Sequence, residues 1–456
     1  MTTTPGVPEL PARIRIGYAT GSLATGAFGT VPGLLLLPYL TDTLGVAAGL
    51  AGLLVLLPKA WDVVVNPFAG RMSDRTHTRW GARRPYLLGG GLALAVTFAL
   101  IFAGVFRGGA GAAWVAVTFL LTATAFAFFQ VPYVAMPAEM TDGYTERTRM
   151  MTWRVALLAL TILISGAVAP AVRDAAGGGI DGYRAMGIFV ACLIVLGSLG
   201  AFFGTRGAPI GREEQSEPSL RAQLAVVAGN RPFRVLVACF VAQAAGVAAM
   251  LAGVQYFADH VLHNSDAVTY LFVGVVAPAL LVMPLWRRVG ERFGKLRGYV
   301  SASLLITVTT LTLGLSAVLP TPAVYALIAL LGVGYAGQQL FGLSMLPDCI
   351  AYDTKRTGRR QAGVFTGVWT AGETFGLALG PQIFGLMLQL FGYKSSTTGH
   401  AAPQSDLAEL GVLLGFTVVP GVIVGLALLF LRRYDLDAEQ ADQGVAALQG
   451  SPSPAL

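Results

Sequence analysis

The chain has 456 residues, 55% of them hydrophobic and only 12% charged, and carries a formal net charge of +7. Soluble globular proteins carry about 25% charged residues, so half the usual supply of water-facing side chains excludes a soluble globular domain. The apolar residues come in runs of about 20, long enough to cross a hydrocarbon core of ~30 Å as helices, and short alternating strands that would make a membrane β-barrel are absent.

The expected fold is therefore an all-α polytopic membrane protein. The first stretch, MTTTPGVPELPARIR, has neither the short apolar core nor the small-residue cleavage site of a signal peptide and is expected to remain as a soluble tail, residues 1–16. Twelve apolar segments follow, at 17–41, 47–69, 86–106, 111–137, 153–172, 185–204, 235–258, 267–286, 298–318, 323–346, 362–390 and 407–431. The longest polar break, 205–234, holds GREEQSEPSLRAQ and NRPFR, the composition of a cytoplasmic linker. It divides the chain into two six-helix bundles, 17–204 and 235–431, and residues 432–456 form a second tail. The 57 glycines let membrane helices approach closely.

Orientation follows from Lys and Arg. With both termini in the cytoplasm, 25 of the 31 basic residues fall inside, four (Arg107, Arg173, Arg184, Lys394) outside, and two (Lys59, Arg154) within segments. The expectation is a multi-pass protein of the cell membrane with both termini cytoplasmic. Its basic excess is a topology signal facing anionic membrane lipid, and no nucleic-acid partner is needed. Cys192, Cys239 and Cys349 lack metal-ligand spacing and read as structural. His77, His260, His263 and His400 fall in expected loops, and no metal site is assigned.

The two halves repeat. Asn66-Pro67-Phe68-Ala69-Gly70-Arg71-Met72-Ser73-Asp74-Arg75 follows segment two, and MPLWRRVGERFGKLR follows segment eight; Pro67 lies 217 residues before Pro284, and Asp74 lies 217 before Glu291. Parallel repeats of two pseudo-symmetric six-helix halves resemble the major facilitator fold, which implies a substrate site near the midplane between the halves. Gly70 to Arg75 is similar to the loop signature of that superfamily. On that likeness Gly70, Asp74, Arg75, Arg83, Arg84, Glu291 and Arg292 form a conformational latch, beyond the topological role the arginines have in either case.

A charge at the bilayer centre costs about 2.5–3.5 kcal/mol on insertion scales, so charges within segments are functional candidates. Lys59 and Asp62, three apart, can face each other across a helical turn. They form either a self-neutralising structural pair or a site in which Asp62 binds a coupling cation or proton and Lys59 tunes it. Arg154 opens segment five and either snorkels to the interface or points inward to an acid or a substrate. Glu373 lies inside segment eleven without a basic neighbour in sequence, which favours a wet cavity or a proton role. Gln130, Tyr133, Gln243, Gln255, Gln338 and Gln339 offer neutral hydrogen-bonding groups that bind substrate or join helices. Trp61, Trp153 and Trp369 suit stacking on a sugar ring equally with packing or interfacial anchoring.

WDVVVNPFAGRMSDRTHTRWGARRPY, residues 61–86, resembles the glycoside–pentoside–hexuronide:cation symporters, the group that includes melibiose permease. The shared pattern is W-D-x-x-x-(D/N)-P followed by a loop ending T-x-(S/T)-R-W-G. Tyr39-Leu40-Thr41-Asp42-Thr43-Leu44-Gly45 agrees with it. So do Pro132-Tyr133-Val134-Ala135 with Glu139, Asp142, Glu146 and Arg147, and Pro347-Asp348 with Ile350, Tyr352-Asp353, Arg360 and Gly363-Val364-Phe365. The likeness covers nearly the whole chain. It implies that Asp62 stands where the family places its first cation-site carboxylate, with Asn66 in place of the second. Val65 and Ala127 fall at neighbouring oxygen-bearing positions, Gly26 and Gln130 at the galactoside-binding acids, and Val134 near the sugar-stacking Trp. Arg154 retains the family arginine, and the lysine of segment eleven falls near Glu373 and Thr374.

These departures imply a substrate bound otherwise than a melibiose-like galactoside, and a proton in preference to a full sodium site. The function expected is cation-coupled symport (H+ or Na+) of a sugar, glycoside or related small polar solute by alternating access. Asp62, Asn66, Lys59 and Glu373 are placed at coupling, and Gln130, Tyr133, Arg154, Trp369, Gln338 and Gln339 at substrate. A proton-coupled exporter or lipid/metabolite transporter using Glu373 is the alternative on the same fold, and a non-transporting sensor is a further one. No nucleophile, metal or phosphate-binding motif points to an enzyme. No cofactor is expected beyond the ion, and a monomer is expected.

Overall fold

The computed structural model describes residues 10–141, 144–208, 227–357, 362–397, 402–434 and 436. Among the described residues the regular elements are all helices. The first half contains α1 (Ala12–Val31), α2 (Ala48–Asp74), α3 (Arg84–Ile101), α4 (Gly108–Met140), α5 (Tyr144–Ala175) and α6 (Gly179–Gly204). The second contains α7 (Arg231–His260), α8 (Ala267–Leu281), α9 (Met283–Phe293), α10 (Lys295–Leu313), α11 (Thr321–Thr357), α12 (Ala362–Leu390), α13 (Asp406–Phe416) and α14 (Val418–Leu431). Each of the twelve apolar segments carries a helix. Among the described residues eight spans are long and apolar enough to cross a bilayer, α13 and α14 counting as one; α8 and α9 make a ninth. The apolar part of α2 is Ala48–Lys59, ending where its charges begin.

The chain packs as two compact units, Met1–Ser216 with Gly392–Ser405, and Glu217–Phe391 with Asp406–Leu456. Within the first, α1 packs on α5 and α6, α3 on α4 and α6, and α2 on α4. Within the second, α7 packs on α12 and α14, α10 on α11 and α14, and α8 on α11. Counted as spans, these are the same pairings, so the internal repeat seen in sequence recurs in the choice of packing partners. Small residues set the closest approaches. A Cβ on Gly17 of α1 would lie 2.4 Å from the Cα of Gly204 on α6, and one on Gly380 of α12 would lie 2.4 Å from Ala248 on α7. Packing rather than a hydrophobic drive holds helices together in lipid, so backbone contact of this kind is stabilising. Apolar side chains such as Val96, Ile188, Leu196 and Leu426 are left on the outside, where lipid tails solvate them.

Proline marks the places where the helices change course. Pro32 and Pro38 cannot donate to the preceding turn, and the chain there widens into π-helical turns, Pro32–Leu36 and Tyr39–Thr43. The Tyr39–Thr43 turn and the chain beyond it are held by the segment Gly392–Ser405: the Tyr393 hydroxyl donates to Asp42 Oδ1 at 2.9 Å, the Ser396 amide to Thr41 O at 2.8 Å, and Ser395 Oγ to Val46 O at 2.8 Å. These bonds occupy polar groups that the irregular turn leaves open, and they account for that segment belonging to the first unit. Between α8 and α9 the axis bends by 52° at Val282, just before Pro284 in the first turn of α9. Asn230, in the NRPFR stretch, caps α7 by accepting from the Phe233 amide at 3.0 Å, and its Nδ2 donates to Cys349 O at 2.9 Å. That is the Asn-cap-then-Pro pattern of a helix start.

Candidate functional site

In the first unit a polar cluster forms where α1, α4 and α5 meet. Tyr18 and Ser22 sit one turn apart on α1, Gln130 and Tyr133 one turn apart on α4, and Arg154 on α5. The rings of Tyr18 and Tyr133 stack with centroids 4.7 Å apart. The Tyr133 hydroxyl donates to Tyr18 O at 3.0 Å and lies 3.2 Å from Ser22 Oγ, which in turn donates to Arg154 O at 3.0 Å. The Arg154 guanidinium stands 5.2 Å from the Tyr133 ring centroid, a cation–π distance. Tyr133 fits this closely because α1 carries Gly21 opposite it, where a Cβ would come within 2.4 Å of the ring.

Three features of the cluster bear on ligand binding. The Tyr18 hydroxyl and Gln130 Oε1 are buried without a hydrogen-bond partner among the described residues, and unpaired buried polar atoms call for a partner. No carboxylate among the described residues pairs with Arg154; its guanidinium lies 3.8 Å from the Met151 sulfur and also interacts with the Tyr133 side chain. Gly26 packs tightly on α5: a Cβ there would lie 3.0 Å from Thr161 and 3.2 Å from Leu158, so those side chains would have to give way. The position that the resemblance equates with a galactoside-binding acid thus holds a glycine packed closely against α5.

Asp62, on α2, is 8% exposed. Its Oδ2 is 3.9 Å from Lys59 Nζ, a loose ion pair, and its Oδ1 is buried with no hydrogen-bond partner among the described residues. Lys59 Nζ also lies 5.7 Å from the Phe28 ring of α1. One turn further along α2, Val65 belongs to a small apolar contact between α2 and α4 with Ala69, Ala127, Phe128 and Val131. Asn66 is exposed, so the two positions that share a motif differ in burial. Trp61 faces out and donates to Thr124 Oγ1 at 2.9 Å, tying α2 to α4.

In the second unit Glu373 of α12 is half-buried and interacts with Gln339 of α11, whose Nε2 lies 3.0 Å from the Tyr335 hydroxyl. Gln338 is buried, its Oε1 without a partner among the described residues. Trp369 is 2% exposed within the main core of this unit, stacked on Phe240 with centroids 4.2 Å apart. One face of that ring is therefore taken by protein. Gln243 is occupied too, accepting from the Tyr299 hydroxyl at 2.8 Å and donating to Ser303 at 2.9 Å, which makes it a link between α7 and α10.

The latch residues find local partners. Arg83 bonds Ser73 Oγ, and Arg84 donates twice to Phe202 O at the end of α6, by Nε at 3.2 Å and Nη2 at 2.6 Å. Glu291 pairs at 2.8 Å with Arg287, one turn before it, while Arg292 lies over Phe293. Gly70 faces Val131, and Arg75 is exposed at the end of α2. The side chain of Asp74 lies outside the described residues. Tyr18, Ser22 and Tyr335 were not singled out by sequence; the i, i+4 pairing of Tyr18 with Ser22 on one helical face was the available signal.

Two repeated halves of membrane helices, each with buried polar atoms that have no partner among the described residues, define a secondary active transporter. The family described as MFS/sugar transport protein matches residues 17–438. The glucuronide carrier protein homolog of Escherichia coli (strain K12) is 26% identical, over 94% of this chain and 93% of its own. The isoprimeverose transporter of Lactiplantibacillus pentosus is 25% identical, over 94% and 89%. A bacterial homologue of the human lysosomal transporter Spinster, solved inward-facing, shares the fold with a TM-score of 0.67 at 14% identity, covering 97% of this chain and 98% of its own. The chain belongs to the MFS/sugar transport family, in its glycoside–pentoside–hexuronide:cation symporter branch. It is a membrane transporter and not an enzyme.

Proposed function

We propose that the protein carries a sugar, glycoside or related small polar solute together with a cation by alternating access, with a proton as the coupling ion. The observation that carries the coupling ion is Asp62 Oδ1, a buried carboxylate oxygen with no partner among the described residues. One carboxylate takes a proton unaided, whereas sodium wants several oxygens around it. Val65 and Ala127, at the positions where the resemblance expects further oxygen ligands, offer only carbon side chains and pack in an apolar contact, and Asn66 is exposed. Glu373 with Gln339 and Tyr335 is a second proton-accepting position, in the other half.

On the substrate side, Tyr18, Gln130 and Arg154, beside the Tyr133 ring, combine hydrogen-bonding atoms and an arginine that have no hydrogen-bond or carboxylate partner, respectively, among the described residues. That chemistry suits a hydroxyl-rich ring and accepts a carboxylate-bearing one. The named relatives, a glucuronide carrier homologue and an isoprimeverose transporter, support the sugar reading. Both termini are assigned to the cytoplasm from the distribution of Lys and Arg.

The test is uptake into proteoliposomes under imposed gradients, with a labelled glycoside selected by thermal-shift screening. An inward proton gradient is expected to drive accumulation without sodium. Accumulation driven only by sodium overturns the proton assignment, and accumulation driven by neither overturns symport.

A further inference from the structure

A cavity of about 720 Å³ opens in the first unit beside the loop between α2 and α3, the start of α3 and the end of α6. Its basic lining is Arg79, Arg83, Arg84 and Arg206, and its apolar lining includes Met136, Met140, Phe202 and Phe203, with Trp80 at its side. Among the described residues no carboxylate lines it. Nor does one pair with Arg79, Arg84 or Arg206.

Arg79 and Arg84 are held in place, and no carboxylate among the described residues neutralises them or Arg206. Arg84 is fixed by its two bonds to Phe202 O and lies 4.7 Å from the Phe202 ring centroid. Arg79 stacks 5.0 Å from the Trp80 ring centroid, and Trp80 meets Phe202 edge to face at 5.4 Å. An aromatic wall thus carries a guanidinium at each end, and Arg206 lies within electrostatic reach of Arg84. Like charges gathered in one cavity repel, and an anion between them relieves the repulsion. The volume falls in the range of ligand pockets, about 300–1,000 Å³.

The surroundings distinguish a lipid from a free ion. Met136, Met140 and Phe202 are buried, while Trp80 and Phe203 are exposed beside them, Phe203 by 56%. A soluble phosphate has no use for that apolar surface, whereas a phospholipid needs one surface for its phosphate and another for its glycerol and upper acyl chain. Tryptophan and arginine at the ends of membrane helices occupy the headgroup level, and basic pockets there attract anionic lipids.

The geometry points to a binding site for the headgroup of an anionic phospholipid, with Arg79, Arg84 and Arg206 on the phosphate and Trp80, Phe202 and Phe203 against the glycerol and chain. The site is separate from the polar cluster of α1, α4 and α5, and its occupancy can be read without any transport measurement.

Native mass spectrometry of the full-length protein tests it, with phosphatidylglycerol and phosphatidylcholine of matched chains offered in equal amounts. Wild type is expected to retain phosphatidylglycerol selectively. Arg79→Gln/Arg206→Gln is expected to weaken that retention roughly thirtyfold, from the loss of two surface arginines. Arg107→Gln, an exposed position before α4, serves as the charge control and is expected to change nothing. Circular dichroism and thermal unfolding establish that each variant is folded, and Arg79→Lys/Arg206→Lys is expected to keep most of the selectivity should the glutamine variant fail to fold. Equal retention of the two lipids by wild type overturns the proposal, as does equal loss in the Arg107→Gln control. Displacement of the lipid by millimolar inorganic phosphate or glycerol 3-phosphate also overturns it, assigning the cavity to a free anion.

Discussion

Replacing Asp62 by Asn removes a charge held 3.9 Å from Lys59 Nζ. At an effective dielectric constant of about 20, unit charges at that distance attract by roughly 4 kcal/mol. The Lys59 side chain is 30% exposed, so solvent screening brings the pair to between about 1 and 4 kcal/mol. Asp62→Asn leaves Lys59 with the Phe28 ring, a contact worth about 0.5–1 kcal/mol at a partly exposed site. The variant is therefore expected to lose stability, and also to lose accumulation against a gradient, because an amide neither takes up nor releases the coupling proton. Lys59→Met/Asp62→Asn separates the two effects: deleting the stranded ammonium restores thermal stability, and accumulation stays lost. Proteoliposome uptake and counterflow exchange, measured beside thermal unfolding in detergent, read both quantities. Exchange is expected to persist in the single variant. Wild-type accumulation by Asp62→Asn, or its recovery in the double variant, would refute a coupling role and reduce the pair to a structural one.

Two further outcomes follow from the substrate-side cluster. Tyr133→Phe deletes the bonds to Tyr18 O and Ser22 while keeping the ring beneath Arg154, so thermal stability should fall by about 0.5–1.5 kcal/mol per bond. Tyr133→Leu should raise the KM for uptake further by also removing the cation–π contact, and equal KM values for the two variants would dismiss the ring as a recognition element. Gly26→Asp restores the acid of a galactoside site, yet its Cβ meets Thr161 and Leu158. It is expected to cost about 1–3 kcal/mol through overpacking and to leave melibiose uptake at background; galactoside uptake at unchanged stability would contradict the packing argument.

Residue spacing named several members of the candidate site and left others unmarked for identifiable reasons. Asp62 was legible because a charge inside an apolar run is costly wherever the run folds. Arg154 was legible as an intramembrane cation, but snorkelling and inward packing read alike in sequence; its position over Tyr133 separates them. Trp369 suits a stacking platform by residue type, and the Phe240 ring across one of its faces is invisible from position alone. Tyr18 is one aromatic among many in segment one, and nothing in its neighbourhood marks it until α4 and α5 are packed against it.

The sequence by itself determined that the chain lives in a membrane, where its helices fall, that it repeats, and which family it belongs to. Those properties are local or additive: run length against bilayer thickness, a tally of Lys and Arg, motifs read in order. Tertiary structure alone decided that Tyr18, Ser22, Tyr133 and Arg154 meet from three helices, that one Asp62 oxygen is buried with no partner among the described residues, and that Gly392–Ser405 packs with the first unit. It also decided that Arg79, Arg84 and Arg206 share one cavity. Each of these depends on which helix faces rest on one another. In lipid, where hydrophobicity no longer selects the inward face, that choice falls to close packing of small residues and to hydrogen bonds between helices.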